Sequence, residues 1–295
     1  MKYIITGSTG HISKPITEHL VKLGHDITVI SSQENKVKEI EELGAKAAIG
    51  SLEDAGFLEK AFEGADAIYT MVPPKGDAKD WKDFIHTIGK NYVQAIKKAG
   101  VKKVVNLSSL GAHLPEGAGP VTGLYRVEQE FNRLEGVDIV HLRPGYFYYN
   151  LMANIGMIKH MGIMGSNFGD ADMVMVHPRD IADVASKELA HLNFTGKSVI
   201  NIVSDERTTQ EVAHVLGNAI GKPELNWINF SDTDLLIGML QAGMPEETAN
   251  NYVEMGACMA SGKFYSDYYA NKPAFSKTKL EDFAKEFEKA YANSH

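Results

Sequence analysis

The sequence predicts an α/β protein: a doubly wound, mostly parallel sheet with a smaller, mainly helical C-terminal cap. Three observations point to it. Short, continuously apolar runs alternate with amphipathic stretches through the first half, as strands covered on both faces by helices must. Glycines stand where those helices should stop, at Gly24, Gly44 and Gly100. The alternation weakens after Arg143-Pro144-Gly145, where a different architecture should begin.

The elements follow in order. Tyr3-Ile4-Ile5 is the first strand, and His11 to Leu23 a helix ended by Gly24. Asp26 to Ile30, rich in Ile and Val, is the second strand; Asn35 to Leu43 is a charged helix stopped by Gly44. Ala45 to Ile49, Asp66 to Val72, Lys103 to Leu107 and Val137 to Leu142 supply the third to sixth strands. Helices Ala55 to Phe62, Asp80 to Ala99 and Tyr125 to Leu134 lie between them, and right-handed crossovers wind such a pattern on both faces of one sheet. Beyond, Pro178 to His191 reads as a helix, Ser198 to Val203 as one more sheet strand, and Thr208 to Ile220 as a helix stopped by Gly221. The remainder reads as mostly helical, including Lys277 to Tyr291.

Composition narrows the function. The 295 residues are 44% hydrophobic and 23% charged, an ordinary globular balance. The net charge of −8 argues against a nucleic-acid surface or an anionic membrane as partner. One cysteine, Cys258, excludes an internal disulfide and fits a reducing compartment. No run approaches a membrane span, and no secretion signal is visible, so a cytoplasmic protein is expected.

The strongest local signal is Thr6-Gly7-Ser8-Thr9-Gly10-His11-Ile12-Ser13, between the first strand and first helix. There, backbone N–H groups and the positive helix end meet a dinucleotide pyrophosphate. Gly7 permits the tight turn, Gly10 lets the phosphate approach, and Thr9, His11 and Ile12 complete the cradle. The spacing is G-x-x-G. The second strand ends in Ile30-Ser31-Ser32-Gln33, followed by Lys36, with no carboxylate at the position that holds ribose hydroxyls in NAD proteins. Ser31, Ser32 and Lys36 suit a 2′-phosphate, so NADP(H) is the expected cofactor. Glu34 is the nearest counter-argument.

These motifs resemble the atypical, NmrA-like branch of the short-chain dehydrogenase/reductase superfamily. The glycine loop is similar to that branch's TGATGxxG, with Ser13 in place of the last glycine, which should set the helix slightly further from the sheet. Gly50-Ser51-Leu52-Glu53-Asp54 is similar to its G-D-x-x-D, with Ser51 in place of an aspartate; the resemblance puts Ser51 and Leu52 beside the adenine. Gly64-Ala65-Asp66-Ala67, Ala99-Gly100-Val101-Lys102-Lys103, Leu142-Arg143-Pro144-Gly145-Tyr146-Phe147 and Arg179-Asp180-Ile181-Ala182-Asp183 follow in the branch's order. The implied division is a dinucleotide-binding domain over 1–149, its sheet completed by 172–204, and a substrate or partner cap over 150–171 and 205–295.

The superfamily's usual chemistry needs a Ser or Thr after the fifth strand and a Tyr-x-x-x-Lys pair. Ser108 fits the first requirement, and Ser109 beside it would meet the cofactor. The pair is missing: four residues after Tyr125 stands Gln129, and Val121 falls where the tyrosine usually lies. Tyr125 either lines the nicotinamide site or packs its helix on the sheet. Met71-Val72-Pro73-Pro74 should lie near the ribose and nicotinamide, with Pro74, Tyr146 and Phe147 as substrate wall; core packing explains the aromatics equally well. Met152, Met157, Met161 and Met164 fit a pocket wall or a helix core face. Arg143 suits an anionic ligand or a buried ion pair, and Asp180 a structural helix start. Cys258 should be inert. No metal spacing and no G-x-S-x-G elbow is present.

Two functions fit. One is hydride transfer from NADPH to a quinone or other conjugated carbonyl. The other is a non-catalytic NAD(P) sensor whose cap binds a protein partner. The branch contains both kinds, and the missing pair favours the sensor while the cap aromatics favour the enzyme.

Overall fold

The computed structural model describes residues 1–294. Seven parallel strands form the central sheet: β1 Lys2–Ile5, β2 Asp26–Ser31, β3 Lys46–Ile49, β4 Ala67–Thr70, β5 Lys103–Leu107, β6 Asp138–Pro144 and, later in the chain, β10 Lys197–Ile202. Their order is β3-β2-β1-β4-β5-β6-β10. The chain therefore winds one way from β1 to β3 and the other way from β4 onwards. That reversal opens a crevice at the carboxyl ends of β1 and β4, where ligands of doubly wound sheets bind. The cores of the central strands β1, β4 and β5 are fully buried, with Ile4, Ile5, Ile68, Tyr69, Val104 and Val105 all at 0% exposure, which explains the absence of polar alternation in their sequences.

Helices α1 Ser13–Lys22, α2 Val37–Glu42, α3 Ala55–Ala61, α4 Trp81–Ala99 and α5 Val121–Asn132 join these strands. Asp54 and Asp80 cap α3 and α4 by accepting from Phe57 N and Asp83 N. Helix α4 ends at Gly100 in the left-handed conformation (φ +71°), open only to a residue without a Cβ penalty. Helix α5 begins at Val121, a full turn before the expected Tyr125, so both residues stand on it.

After β6 the polypeptide builds two further small sheets that the sequence did not announce. β7 Tyr146–Phe147, β9 Met173–Val176 and β11 Asp205–Arg207 form one; β8 Ile163–Ser166 and β12 Asn226–Asn229 the other. Within 172–204, β10 pairs with β6 in the central sheet, whereas Met173–Val176 pairs with β7 and β11 outside it. The Met-rich stretch is likewise not one helix: a 3₁₀ segment Tyr148–Asn154 leads to α6 Ile155–Met161, and Gly162 at φ +71° turns the chain into β8. Helices α7 Pro178–His191, α8 Thr209–Ala219, α9 Asp232–Gln241, α10 Glu246–Ala260, α11 Ser266–Ala270 and α12 Leu280–Asn293 complete the chain. The two faces of the central sheet each carry a hydrophobic core, and a third core, containing Tyr148, Phe168, Trp227 and Phe283, holds the later elements together.

Candidate functional site

The turn from β1 to α1 lies at the crevice. Gly7 sits at φ +93° and Ser8 at φ +55°, a left-handed pair in which the serine is the strained member. Ser8 N donates to Ile30 O at 3.0 Å and Ser8 Oγ to Ser31 Oγ at 3.0 Å, which lashes the loop to the end of β2. Ser13, in the third-glycine position, is buried beneath the turn and donates to Thr6 O at 2.7 Å. A Cβ on Gly7 would lie 2.5 Å from Ser13 Oγ, so the serine fills the space under Gly7. At Gly10 a Cβ would approach Gly7 O to 3.2 Å.

Among the described residues, no protein group accepts from the amides of His11 and Ile12, and no side chain caps α1. Donors left open at a helix N-terminus are what a pyrophosphate requires, so the residues present fit a dinucleotide.

The end of β2 divides the expected 2′-phosphate residues. Ser31 is buried, its oxygen accepting from Ser8 Oγ and from Gln33 N at 3.2 Å, so it holds the turn in shape. Ser32 is exposed. Lys36, in the 3₁₀ turn Glu34–Lys36, contacts Glu39 Oε2 at 2.8 Å, and Lys14 on α1 approaches Glu39 Oε1 at 3.6 Å. Besides Glu34, Glu39 and Lys14 stand around this turn, though nothing in the local sequence pattern marks them. Ser51, exposed, accepts from Glu53 N at 3.1 Å, and Leu52 is half-buried beside it.

At the other end of the crevice the polar groups are bonded to one another. Ser108, just past β5, donates to Glu128 Oε1 at 2.6 Å. Glu128 is 1% exposed and is gripped by Arg143, whose Nε reaches Oε1 at 3.0 Å and Nη2 reaches Oε2 at 2.5 Å. Arg143 Nη1 continues to Asp267 Oδ2 at 2.9 Å, tying β6 to α11. These carboxylates hold the Arg143 guanidinium above its ordinary pKa against the effect of burial. Arg143 is therefore the ion-pair residue of the two readings the sequence allowed. Glu128 is not among the residues expected from the sequence, yet it lies at the helical spacing of Val121, Leu124 and Tyr125, a carboxylate on an inward stripe. Tyr125 is half-buried, and no partner for its hydroxyl is found among the described residues.

Beneath these residues runs a second buried chain. Thr70 Oγ1 donates to Asn106 Oδ1 at 2.9 Å, Asn106 Nδ2 faces His141 Nδ1 at 3.0 Å, and His141 Nε2 faces Asn132 Oδ1 at 3.1 Å. Burial lowers the His141 pKa to about 4, so the ring is neutral at pH 7.

Met71, Val72 and Pro73 follow β4 at half-burial, Met71 bordering Gly7; Pro74 is exposed. Met71 N donates to Thr6 Oγ1 at 2.9 Å and Tyr92 Oη donates to Met71 O at 2.7 Å, which fixes this wall of the crevice. Tyr146 and Phe147 are neighbours on β7 and so face opposite ways. Tyr146 meets Phe168 edge-on at 5.7 Å in the cap core, while Phe147 packs into the core that contains Ile12. The two aromatics thus do not share one pocket. Ser109 is half-buried beside Ser108.

Tyr149, in the 3₁₀ segment that leads into the later elements, meets the glycine loop. The His11 ring lies 4.3 Å from that of Tyr149, tilted by 31°. Tyr149 Oη donates to Glu286 Oε2 at 2.6 Å, and Glu286 Oε1 meets His177 Nε2 at 3.2 Å. Burial and the Glu286 carboxylate push the Tyr149 phenol up to about 12. Elsewhere, Asp180 accepts from Ser204 Oγ at 2.6 Å and Thr278 Oγ1 at 2.9 Å, a structural role, and burial raises the Cys258 thiol. Among the described residues there is no cluster of three His, Cys, Asp or Glu able to hold a metal, and no helix long and apolar enough to cross a membrane.

Known proteins share this fold. The NAD(P)H azoreductase of Xenophilus azovorans is 24% identical over 289 residues, 98% of this chain and 97% of its own. A (4-alkanoyl-5-oxo-2,5-dihydrofuran-3-yl)methyl phosphate reductase of Streptomyces griseus is 23% identical over 220 residues, 75% of this chain and 74% of its own. Among solved structures, the NADPH-dependent quinone oxidoreductase of Escherichia coli complexed with NADPH has a TM-score of 0.82 at 20% identity, covering 96% of this chain and 99% of that one. The triphenylmethane reductase of Citrobacter sp. has a TM-score of 0.81 at 21% identity, covering 98% of this chain and all of its own. These likenesses are of fold. The NmrA-like family itself matches residues 2–267, from β1 into α11, and the chain belongs to that family.

Proposed function

We propose that the chain is an NADPH-dependent reductase of a quinone or another conjugated carbonyl. NADPH, when bound, supplies the hydride. The amides of His11 and Ile12 and the positive end of α1 hold the pyrophosphate, Ser32, Lys36 and Lys14 face the 2′-phosphate, and Met71, Val72 and Pro73 flank the nicotinamide end. The reading is supported by the names of similar proteins, an NAD(P)H azoreductase and a quinone oxidoreductase solved with NADPH.

The observation that carries the choice of acceptor is the fate of the Ser108 proton. Its hydroxyl donates to the buried Glu128 carboxylate, so it is not free to donate to a substrate oxygen. Four residues after Tyr125 stands Gln129, not a lysine. A simple ketone needs a proton as charge develops on its oxygen, and a positioned acid typically contributes ~10²–10⁴ in rate. A quinone spreads the incoming charge over its ring and second oxygen, and water can protonate it afterwards. Orientation in the crevice then suffices.

NADPH oxidation followed at fixed cofactor should be measurable with quinones and near background with simple ketones. Tyr125→Phe should cost less than about tenfold in quinone turnover, below the loss expected of a general acid. A thousandfold drop with binding intact would make Tyr125 the acid. The sensor reading draws on the His11–Tyr149 contact, which couples the glycine loop to the cap. Tight NADPH binding without oxidation by any quinone selects it.

A further inference from the structure

We infer that Glu39 is a built-in counter-ion that occupies the lysines of the 2′-phosphate site and so sets how strongly the chain prefers NADPH to NADH. The inference rests on the NADP(H) reading above. Three positions on separate segments converge on one carboxylate. Lys36 contacts Oε2 at 2.8 Å, Lys14 approaches Oε1 at 3.6 Å, and the Thr9 hydroxyl is near enough to help hold the carboxyl charged. Thr9 belongs to the glycine loop, Lys14 to the first turn of α1 and Lys36 to the turn after β2. They surround the place where a ribose 2′-substituent lies when the pyrophosphate is on α1 and the ribose beside the end of β2.

A carboxylate held by two ammonium groups is what a phosphate in that place would look like to them. With Ser31 tied to Ser8 and Gln33, the groups left for a 2′-phosphate are Ser32 and these two lysines. Glu39 halves their positive charge, and its own charge opposes a group carrying about −1.5 to −2. The 2′-hydroxyl of NADH meets no such opposition. Glu39 should therefore weaken NADPH binding while leaving NADH binding unchanged, holding the preference below what the lysines alone would give. Both lysines and the glutamate are between 35% and 42% exposed, so the effect is screened and moderate. A carboxylate in the first turn of α2 also favours that helix, so its loss should lower thermal stability slightly, a separate readout.

The test is calorimetric titration of the wild type, Glu39→Gln and Lys14→Met with NADPH and with NADH, at low salt and again near 0.5 M, beside thermal melts to confirm folding. Glu39→Gln should bind NADPH about three- to fivefold more tightly, with NADH unchanged. The gap should close at high salt, where the Debye length falls to a few ångströms. Lys14→Met should lose NADPH affinity alone. A wild type that prefers NADPH, with Glu39→Gln leaving that affinity unchanged, overturns the counter-ion role and leaves the cofactor reading standing. A wild type that prefers NADH, with Glu39→Gln losing NADH affinity, overturns both and makes Glu39 the acceptor for a ribose hydroxyl.

Discussion

The two ends of the crevice treat their polar groups in opposite ways. Around the glycine loop, backbone donors are left open: His11 and Ile12 have no acceptor among the described residues, and α1 has no side-chain cap. Around β5 and β6 the polar groups are consumed internally, Ser108 by Glu128, Glu128 by Arg143, Arg143 by Asp267, and His141 by two asparagines. An open donor costs little while water reaches it and becomes affinity when a phosphate arrives. A buried carboxylate or guanidinium must be paired, because the penalty for an unpaired charge is several kcal/mol. On the proposed reading the first end serves a ligand and the second the protein itself, so substitutions at the two should separate binding from stability.

Arg143→Ala should give the largest effect. It strands Glu128, 1% exposed, and breaking a buried pair costs about 3–5 kcal/mol. Urea unfolding should show that loss, while NADPH affinity of the folded fraction in the cold should stay within about threefold. A large loss of affinity with little loss of stability would erase the contrast.

Gly10→Val should do the reverse. Its side chain meets Gly7 O and stands in the path of the phosphate. Cofactor affinity should fall by about a hundredfold, roughly 2.7 kcal/mol, with the urea midpoint lowered far less than by Arg143→Ala. Unchanged affinity would remove the glycine loop from the site.

The third effect is gentler and sharpens the closed end. His141 has a folded pKa lowered by burial to about 4, against roughly 6.5 when unfolded. Between those values the unfolded chain binds the extra proton, so stability is full above pH 6.5 and falls as the pH drops towards 4. The slope for one proton is up to ~1.4 kcal/mol per pH unit. His141→Gln should flatten the urea stability profile over that window. A profile equally steep in the variant would place the titration elsewhere.

Much of this arrangement was legible from residues alone. Lys103–Leu107 and Pro178–His191 have the predicted limits, and the other sheet strands fall within a few residues of theirs. Long periodic helices and doubly buried strands write themselves in hydrophobicity. The small sheets did not, since strands of two to four residues such as Met173–Val176 are too short to be told from helix by period. At the site, Gly7, Gly10 and the turn of β2 could be read because their chemistry is backbone geometry in consecutive residues. Glu128 and Glu39 could not, because their meaning depends on partners brought in by other elements, Arg143 from β6 and Lys14 from α1. Phe147 shows the same limit in reverse. Its place beside Tyr146 suggested a shared pocket, and strand alternation sent it to another core.

The tilted His11–Tyr149 pair beside the glycine loop also gives the molecule a resonance of its own. His11 lies 4.3 Å from the Tyr149 ring, and protons over the face of an aromatic ring are shifted by its current. The carbon-bound imidazole protons of His11 are thereby shifted by an amount set by this one contact, as those of His25 are by Tyr3 and those of His177 by Tyr148 and Tyr149. A compound that seats itself on the glycine loop must share space with that imidazole, whereas one lodged near Ser108 need not. A single histidine signal then reports, with no dye or label, which end of the crevice has been reached.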